Sequence, residues 1–428
     1  SQTGDLQQWQ NPAGTVLAVV NAGGNVGIGT VSPGSKLDVV GAINAGAVTG
    51  SSVTATGIGV SAAQLRLAAA SNVTISSETS AAQAGGITAV TIPPDTSPPI
   101  ATPAMVDRIR GIAARVGGLD VYPLGALTQN LEGESLAEMS ALKQAGCVGV
   151  SNAALPLRDS LVGRRALDYA QGLGLTVHVF AQNPALANSG CAHEGPVATR
   201  LGLSPIPVAA EVSAIRFWIS LVEDTGAAVH FGRLSTARGV EMVAAAQKNG
   251  LRVSADVAAH QLFLTAEDVI GFKAMCHVLP PLRSMEDRDA LRQGVRSGVI
   301  GAICSDHQPH EADAKINPFP LTEPGISGLE TLLPLALQLV CEQLLEPLQL
   351  AQRLSLGPSR VLGLEPAGVR AGETAQLVLL DPTTRMVLRR EALHSAGRNS
   401  PFIGTELPGR VELTLHAGNV VYRAPHPA

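Results

Sequence analysis

Apolar positions along this chain recur with two different periods. From about Glu78 onward, short apolar runs alternate with stretches whose apolar side chains return every three or four positions, the pattern of strands followed by amphipathic helices. Strands are predicted at Ile87 to Ile92, Asp120 to Pro123, Val148 to Val150, Thr176 to Phe180, Ala228 to Phe231, Arg252 to Val257, His277 to Leu279 and Gly301 to Cys304. Helices fit between them, as at Leu136 to Ala145 and at Gly239 to Asn249, the latter stopped by Gly250. Roughly eight such units over about 260 residues predict an α/β architecture, a (β/α)8 TIM-like barrel rather than an open sheet. After Glu365 the strand pattern returns at Ala375 to Leu380 and Val411 to Tyr422, which predicts a small flanking β-domain.

The first part of the chain is different. Short alternating stretches, Thr15 to Val20 and Lys36 to Val40, are punctuated by Gly-Gly, Gly-Asn and Ser-Pro-Gly turns, the pattern of short β-strands. Residues 1–72 carry only four charges, Asp5, Lys36, Asp38 and Arg66, against 30 basic and 35 acidic residues in the whole chain. So few charges imply a covered surface, whether by copies of the segment or by the rest of the chain. The expected domains are therefore a Gly/Ala/Ser-rich β segment at 1–72, a barrel at 73–365 and the strands of a small β-domain at 366–428. The run Gly24-Asn25-Val26-Gly27-Ile28-Gly29-Thr30, with Ser32-Pro33 and Lys36-Leu37-Asp38-Val39, resembles the stalk repeats of phage tail-fibre and related trimeric β-proteins. Its Gly-x-Gly is a poor nucleotide-binding candidate, because Thr30 to Ser35 forms turns and opens no helix.

Composition narrows the function. The 428 residues are 45% hydrophobic and 15% charged, with a mean hydropathy of +0.22, which fits folded domains with a large core and excludes a disordered polyelectrolyte. A net charge of -5 lacks the basic excess of a nucleic-acid binder. The most apolar stretch, Thr331 to Cys341, contains Pro334 and falls short of the roughly 20 residues that span a bilayer. No signal peptide is read at Ser1 to Gln10. The five cysteines, Cys147, Cys191, Cys276, Cys304 and Cys341, are odd in number and widely spaced, and read as buried thiols of a reducing compartment. A cytoplasmic protein with no nucleic-acid or membrane partner is expected.

In such barrels chemistry sits at the C-terminal ends of the strands. The richest loop is Ser305-Asp306-His307-Gln308-Pro309-His310. There Asp306 can ligate a metal or act as a general base, and His310 can bind an anionic ligand. The plainer reading has Asp306 capping the next turn and His307 bonded within the loop.

These residues, with AQAGGIT (Ala82 to Thr88), PDTSP (Pro94 to Pro98), PPLR (Pro280 to Arg283), EPGISGLETLLP (Glu323 to Pro334) and SPFIG (Ser400 to Gly404), resemble the dihydroorotase branch of the amidohydrolase superfamily from about Ser77 to Ala428. The resemblance implies hydrolysis or formation of a cyclic amide by a zinc-activated hydroxide, with an Asp moving the proton. It also implies an H-x-H pair on the first strand and further metal-binding imidazoles on later ones. The chain has no H-x-H; aligned on Leu65-Arg66, the pair becomes Ala62 and Gln64. Asn152-Ala153 replaces the acidic pair after the fourth strand of the family pattern, Phe180 one ligand imidazole, and Arg233 the next. Asp95, Leu279 and Gln261 replace two Asn and a His of the substrate contacts, and Asp306 alone survives.

The resemblance therefore implies a catalytically inactive dihydroorotase homologue with no cofactor. Such chains assemble with the catalytic chain of aspartate carbamoyltransferase in pyrimidine biosynthesis, and a homo-oligomer is expected. Residual substrate contacts are His310 and Asp95. The enzymatic alternative is a divergent zinc-dependent amidohydrolase using Asp306 with His178 and His230 as ligands, since His178 shares a strand face with position 180 and His230 ends a neighbouring strand. As core residues, both histidines would instead be hydrogen-bonded. A third reading makes the chain a trimeric fibre protein through residues 1–72. The resemblance also leaves open whether Gly57 to Leu67 supplies the first barrel strand.

Overall fold

The structure, a computed structural model, describes the backbone of four short strands before residue 40, and residues 75–365, 368–370 and 372–425. The chain divides into two compact units, one of Ser1–Thr54 with Val369–Glu373, the other of Ala55–Gly368 with Thr374–Ala428. In the first, β1 (Gln7–Gln10), β2 (Val16–Val20), β3 (Val26–Ile28) and β4 (Leu37–Val39) pair in sequence order. The β1–β2 and β2–β3 pairs are antiparallel and β3–β4 is parallel.

The second unit is built on a parallel sheet. Strands β5 (Ala89–Ile92), β6 (Asp120–Ala126), β7 (Gly149–Ser151), β8 (Thr176–Phe180), β9 (Val229–Gly232), β10 (Val253–Ala258) and β11 (Ala302–Cys304) lie side by side in chain order. Every pair is parallel, as strands joined by helical crossovers must be. Seven of these strands fall among the described residues, with β5 and β11 at the two edges. Residues 57–67, expected as a first strand, and the aligned Ala62 and Gln64 lie outside them.

Local sequence sets the helices. Helix α1 is Ile75–Ala84, α2 Pro103–Val116 and α3 Met139–Ala145. Helix α4 (Ser160–Leu173) starts where Asp159 accepts the Val162 N–H and stops at left-handed Gly174. After α5 (Val208–Thr225), α6 (Ala237–Lys248) is capped by the Thr236 hydroxyl. A reciprocal Ser284–Asp287 capping box opens α7 (Met285–Ser297). The apolar run ending at Cys341 is α8 (Leu329–Cys341), with Pro334 inside it. Its Leu332, Leu335 and Leu339 are buried in the main core, and no helix among the described residues is long and apolar enough to cross a membrane.

The small β-domain is an antiparallel sheet of β12 (Leu377–Val387), β13 (Glu406–His416) and β14 (Asn419–Arg423). The single strand expected over Val411 to Tyr422 is two, because Ala417 and Gly418 take positive φ and turn the chain. Two further expectations are corrected. His277 to Leu279 follows a 3-10 turn and forms no strand: Pro280 offers no N–H to a ladder, and Val278 packs in a satellite cluster with Leu282 and Phe319 instead. Cys341 is exposed, while the other four cysteines are buried and free.

Candidate functional site

The C-terminal ends of β8 to β11 converge on one cluster of buried polar groups. Its centre is Arg233, one residue past β9, whose backbone is left-handed (φ 59). That conformation is strained for a residue with a Cβ. The guanidinium is 3% exposed and its Nη1 donates to Asp306 Oδ1 at 3.1 Å, an ion pair in which both side chains are shielded from water. Its carbon lies 4.4 Å from the centre of the Phe180 ring, a cation over an aromatic face. Asp306 also has positive φ (43). Its Oδ1 accepts a second bond from Gln308 Nε2 at 3.0 Å, and Oδ2 has no partner.

Beneath this pair lie the two histidines of the expected alternative, side by side in register on β8 and β9. Their rings are 5.2 Å apart. His230 is fully engaged: Nδ1 meets Ser254 Oγ at 2.9 Å and Nε2 meets Asp256 Oδ2 at 3.0 Å. His178 keeps an unpartnered Nε2, and burial, then the neighbouring His230, pushes its pKa down to about 3. Gly149 makes room for it: a Cβ there would come within 2.8 Å of the ring. His260 is likewise buried with an unpartnered Nε2, and burial brings it to about 4.

Asp256 ties the cluster together and was not singled out by sequence. Burial alone would raise its carboxyl, but the hydrogen bond and charge of His230, the Arg233 backbone N–H (2.6 Å) and the Cys304 thiol hold it below its ordinary value. Its signal was a lone carboxylate in a strand whose one other polar residue is Ser254, since a buried charge requires partners. A second missed carboxylate, buried Glu211, accepts the backbone and hydroxyl groups of both Ser235 and Thr236 and so fixes the turn after Arg233.

The remaining predicted residues part company. His307 does not bond within its loop, as the plainer reading expected, but reaches helix α1 and the start of helix α8. Its Nε2 donates to Glu78 at 2.7 Å while Nδ1 accepts the Gly328 N–H at 3.0 Å. His310 donates Nε2–H to the Pro324 carbonyl and lines a separate cavity. Half-buried Asp95 lies in the loop after β5 and borders neither the barrel mouth nor that cavity. Asn152 is spent on structure, accepting from Thr128 and donating to the Leu155 carbonyl.

These residues do not fit a catalytic zinc, which takes three protein ligands and an open position. Arg233 has no lone pair and its charge repels a cation; Phe180 has no donor; both nitrogens of His230 are taken. Among the described residues no three His, Cys, Asp or Glu side chains are placed to hold a metal, and His178, His230 and Asp306 are not gathered as a ligand set. One pocket at the mouth, bordered among the described residues by His178, Phe180 and Arg233, is about 10 Å³, room for about one water. A cavity of about 340 Å³ opens beside it, between the loops after β7 and β8 and helix α5.

The fold and the position of this cluster define a barrel of the amidohydrolase class. L-hydantoinase from Arthrobacter aurescens superposes with a TM-score of 0.75 at 23% identity over 85% of this chain and 84% of that one. Dihydroorotase from Saccharomyces cerevisiae, in complex with 5-fluoroorotic acid, gives 0.66 at 18% identity over 84% and 98%. The dihydro-orotase-like family model matches residues 56–238 and the amidohydrolase family model residues 193–421. A dihydroorotase-like protein of Pseudomonas aeruginosa is 48% identical over 321 residues, 75% of this chain and 76% of that protein. A dihydroorotase of Geobacter sp. (strain M21) is 41% identical over 306 residues, 72% of each. The chain belongs to the amidohydrolase family, in its dihydroorotase-like branch.

Proposed function

We propose that this chain is a catalytically silent dihydroorotase homologue, a metal-free barrel that acts as an assembly partner for the catalytic chain of aspartate carbamoyltransferase in pyrimidine biosynthesis. The observation that carries the reading is the buried Arg233–Asp306 pair capped by Phe180. By the family resemblance, positions 180 and 233 carry metal-binding imidazoles in an active hydrolase, and here they hold an aromatic ring and a fixed positive charge. The 48% identical relative named dihydroorotase-like supports it. The test joins metal analysis of protein purified without chelator, a dihydroorotate hydrolysis assay, and gel filtration with the carbamoyltransferase catalytic chain. The reading expects negligible zinc, no turnover and a larger co-eluting complex; turnover with about one zinc per chain would overturn it.

A second reading, a divergent cyclic amidohydrolase with Asp306 as base, draws on the unpartnered Asp306 Oδ2 and on relatives named dihydroorotase. It expects added Zn2+ to raise hydrolysis by the wild type and not by Asp306→Ala. A third reading, from the stalk-like resemblance of residues 1–72, is a trimeric fibre-type protein, and a monomeric or dimeric mass by sedimentation of the chain would count against it.

A further inference from the structure

A second polar site lies away from the barrel mouth, where the loop after β11 meets the segment leading into β13. There a cavity of about 340 Å³ is lined by Lys315, Arg390, Arg398, His310, Glu311 and Asn399, among others. Three cations face one carboxylate, in a chain whose net charge is -5. Lys315 is the unusual member. It is 6% exposed, and its hydrogen-bond partners are two backbone carbonyls, those of Glu323 (2.5 Å) and His277 (3.4 Å). Among the described residues it makes no ion pair, although a buried ammonium ordinarily has a counter-charge. Burial lowers its pKa to about 8, so it remains mostly charged at neutral pH. Arg390 and Arg398 are exposed, and neither side chain makes a hydrogen bond or ion pair among the described residues.

The frame behind these groups is rigid. Asn399 accepts the His310 N–H at 2.8 Å and donates to the carbonyls of Gln308 and Gly325. That lock holds the Lys315 loop against the Arg398 segment without using either charge.

We infer that this cavity binds a small molecule through a phosphoryl group, with the Arg390 and Arg398 guanidiniums and the Lys315 ammonium as its cationic clamp. Two guanidiniums match the tetrahedral oxygens of a phosphate dianion, and a buried ammonium supplies the point charge behind them. The space exceeds that of the phosphoryl group and admits the body of a small phosphorylated metabolite. The site requires neither metal nor the barrel mouth, so it is independent of the function proposed above.

The test is isothermal titration of the full chain with inorganic phosphate at low ionic strength, with chloride at matched ionic strength and succinate as controls. Saturable binding of phosphate, weakened at least tenfold in the Arg390→Gln/Arg398→Gln double variant, is expected. Both substitutions are on the surface, so the variant's melting temperature without phosphate should equal that of the wild type. Absence of saturation, equal binding by the double variant, or saturation by succinate and not by phosphate would each overturn the assignment.

Discussion

Arg233 and Asp306 hold one another in a place where neither is stable alone. Replacing one partner leaves the other buried and unpaired, which costs about 3 kcal/mol or more. Asp306→Asn is therefore expected to lose about 3 kcal/mol in urea unfolding. Arg233→Met in the same chain should restore most of that loss, because no lone charge then remains. A double variant as unstable as the single would show that Asp306 serves some other partner. The sequence shows that Arg233 stands where the family pattern has a ligand imidazole. It does not show that a left-handed backbone would aim the guanidinium at Asp306, since that depends on Glu211 pinning Ser235 and Thr236. The partners of Asp256 were illegible for a related reason: His230 and Cys304 come from neighbouring strands.

At the level of elements, the strands were legible where apolar runs were bounded by turn residues, and Thr176–Phe180 falls where the pattern places it. His277 to Leu279 failed because an apolar triplet reads alike in a strand and in a satellite cluster. Helix α3 begins at Met139 rather than Leu136 because Leu136 bridges to Thr128. Strand β7 contributes to the site through the side chain it lacks. Its Gly149 faces the His178 ring so closely that Gly149→Ala must push a ring already buried against His230. A loss of about 2 kcal/mol is expected, the usual scale of overpacking, with unchanged secondary structure by circular dichroism. A neutral substitution would mean that β7 and β8 slide apart freely.

For the whole molecule, neutral imidazoles sealed in the barrel set the response to acid. His178 and His260 have folded pKa values near about 3 and about 4, against an ordinary 6.5. Below pH 6.5 the unfolded chain takes up protons that the folded chain refuses, so stability present above 6.5 is lost as pH falls. Each histidine removes about 1.4 kcal/mol per pH unit until its folded value is reached. The carboxylates of Glu78 and Asp256, whose folded values are depressed, add their loss only at lower pH. Urea midpoints should therefore fall between pH 6.5 and 5, with a shallower slope in His260→Gln; a flat profile would show that these rings protonate in place. The barrel class itself was legible from strand and helix alternation, whereas the filling of its mouth depends on side chains that separate strands bring together.

The span of one buried contact bears on how the chain is made. Glu78 meets His307 across 229 residues and Ser395 across 317, so this carboxylate finds its partners only after a long stretch of chain has followed it. Helix α1 cannot complete these contacts before residue 395 has been made, and such distant closures are slow. Nascent chains halted at residue 390 should accordingly stay open to protease at α1, and full-length chains should close it after release. The lock on α1 thus waits for residue 395, and whatever shelters the growing polypeptide must shelter it through the 317 residues between the two partners.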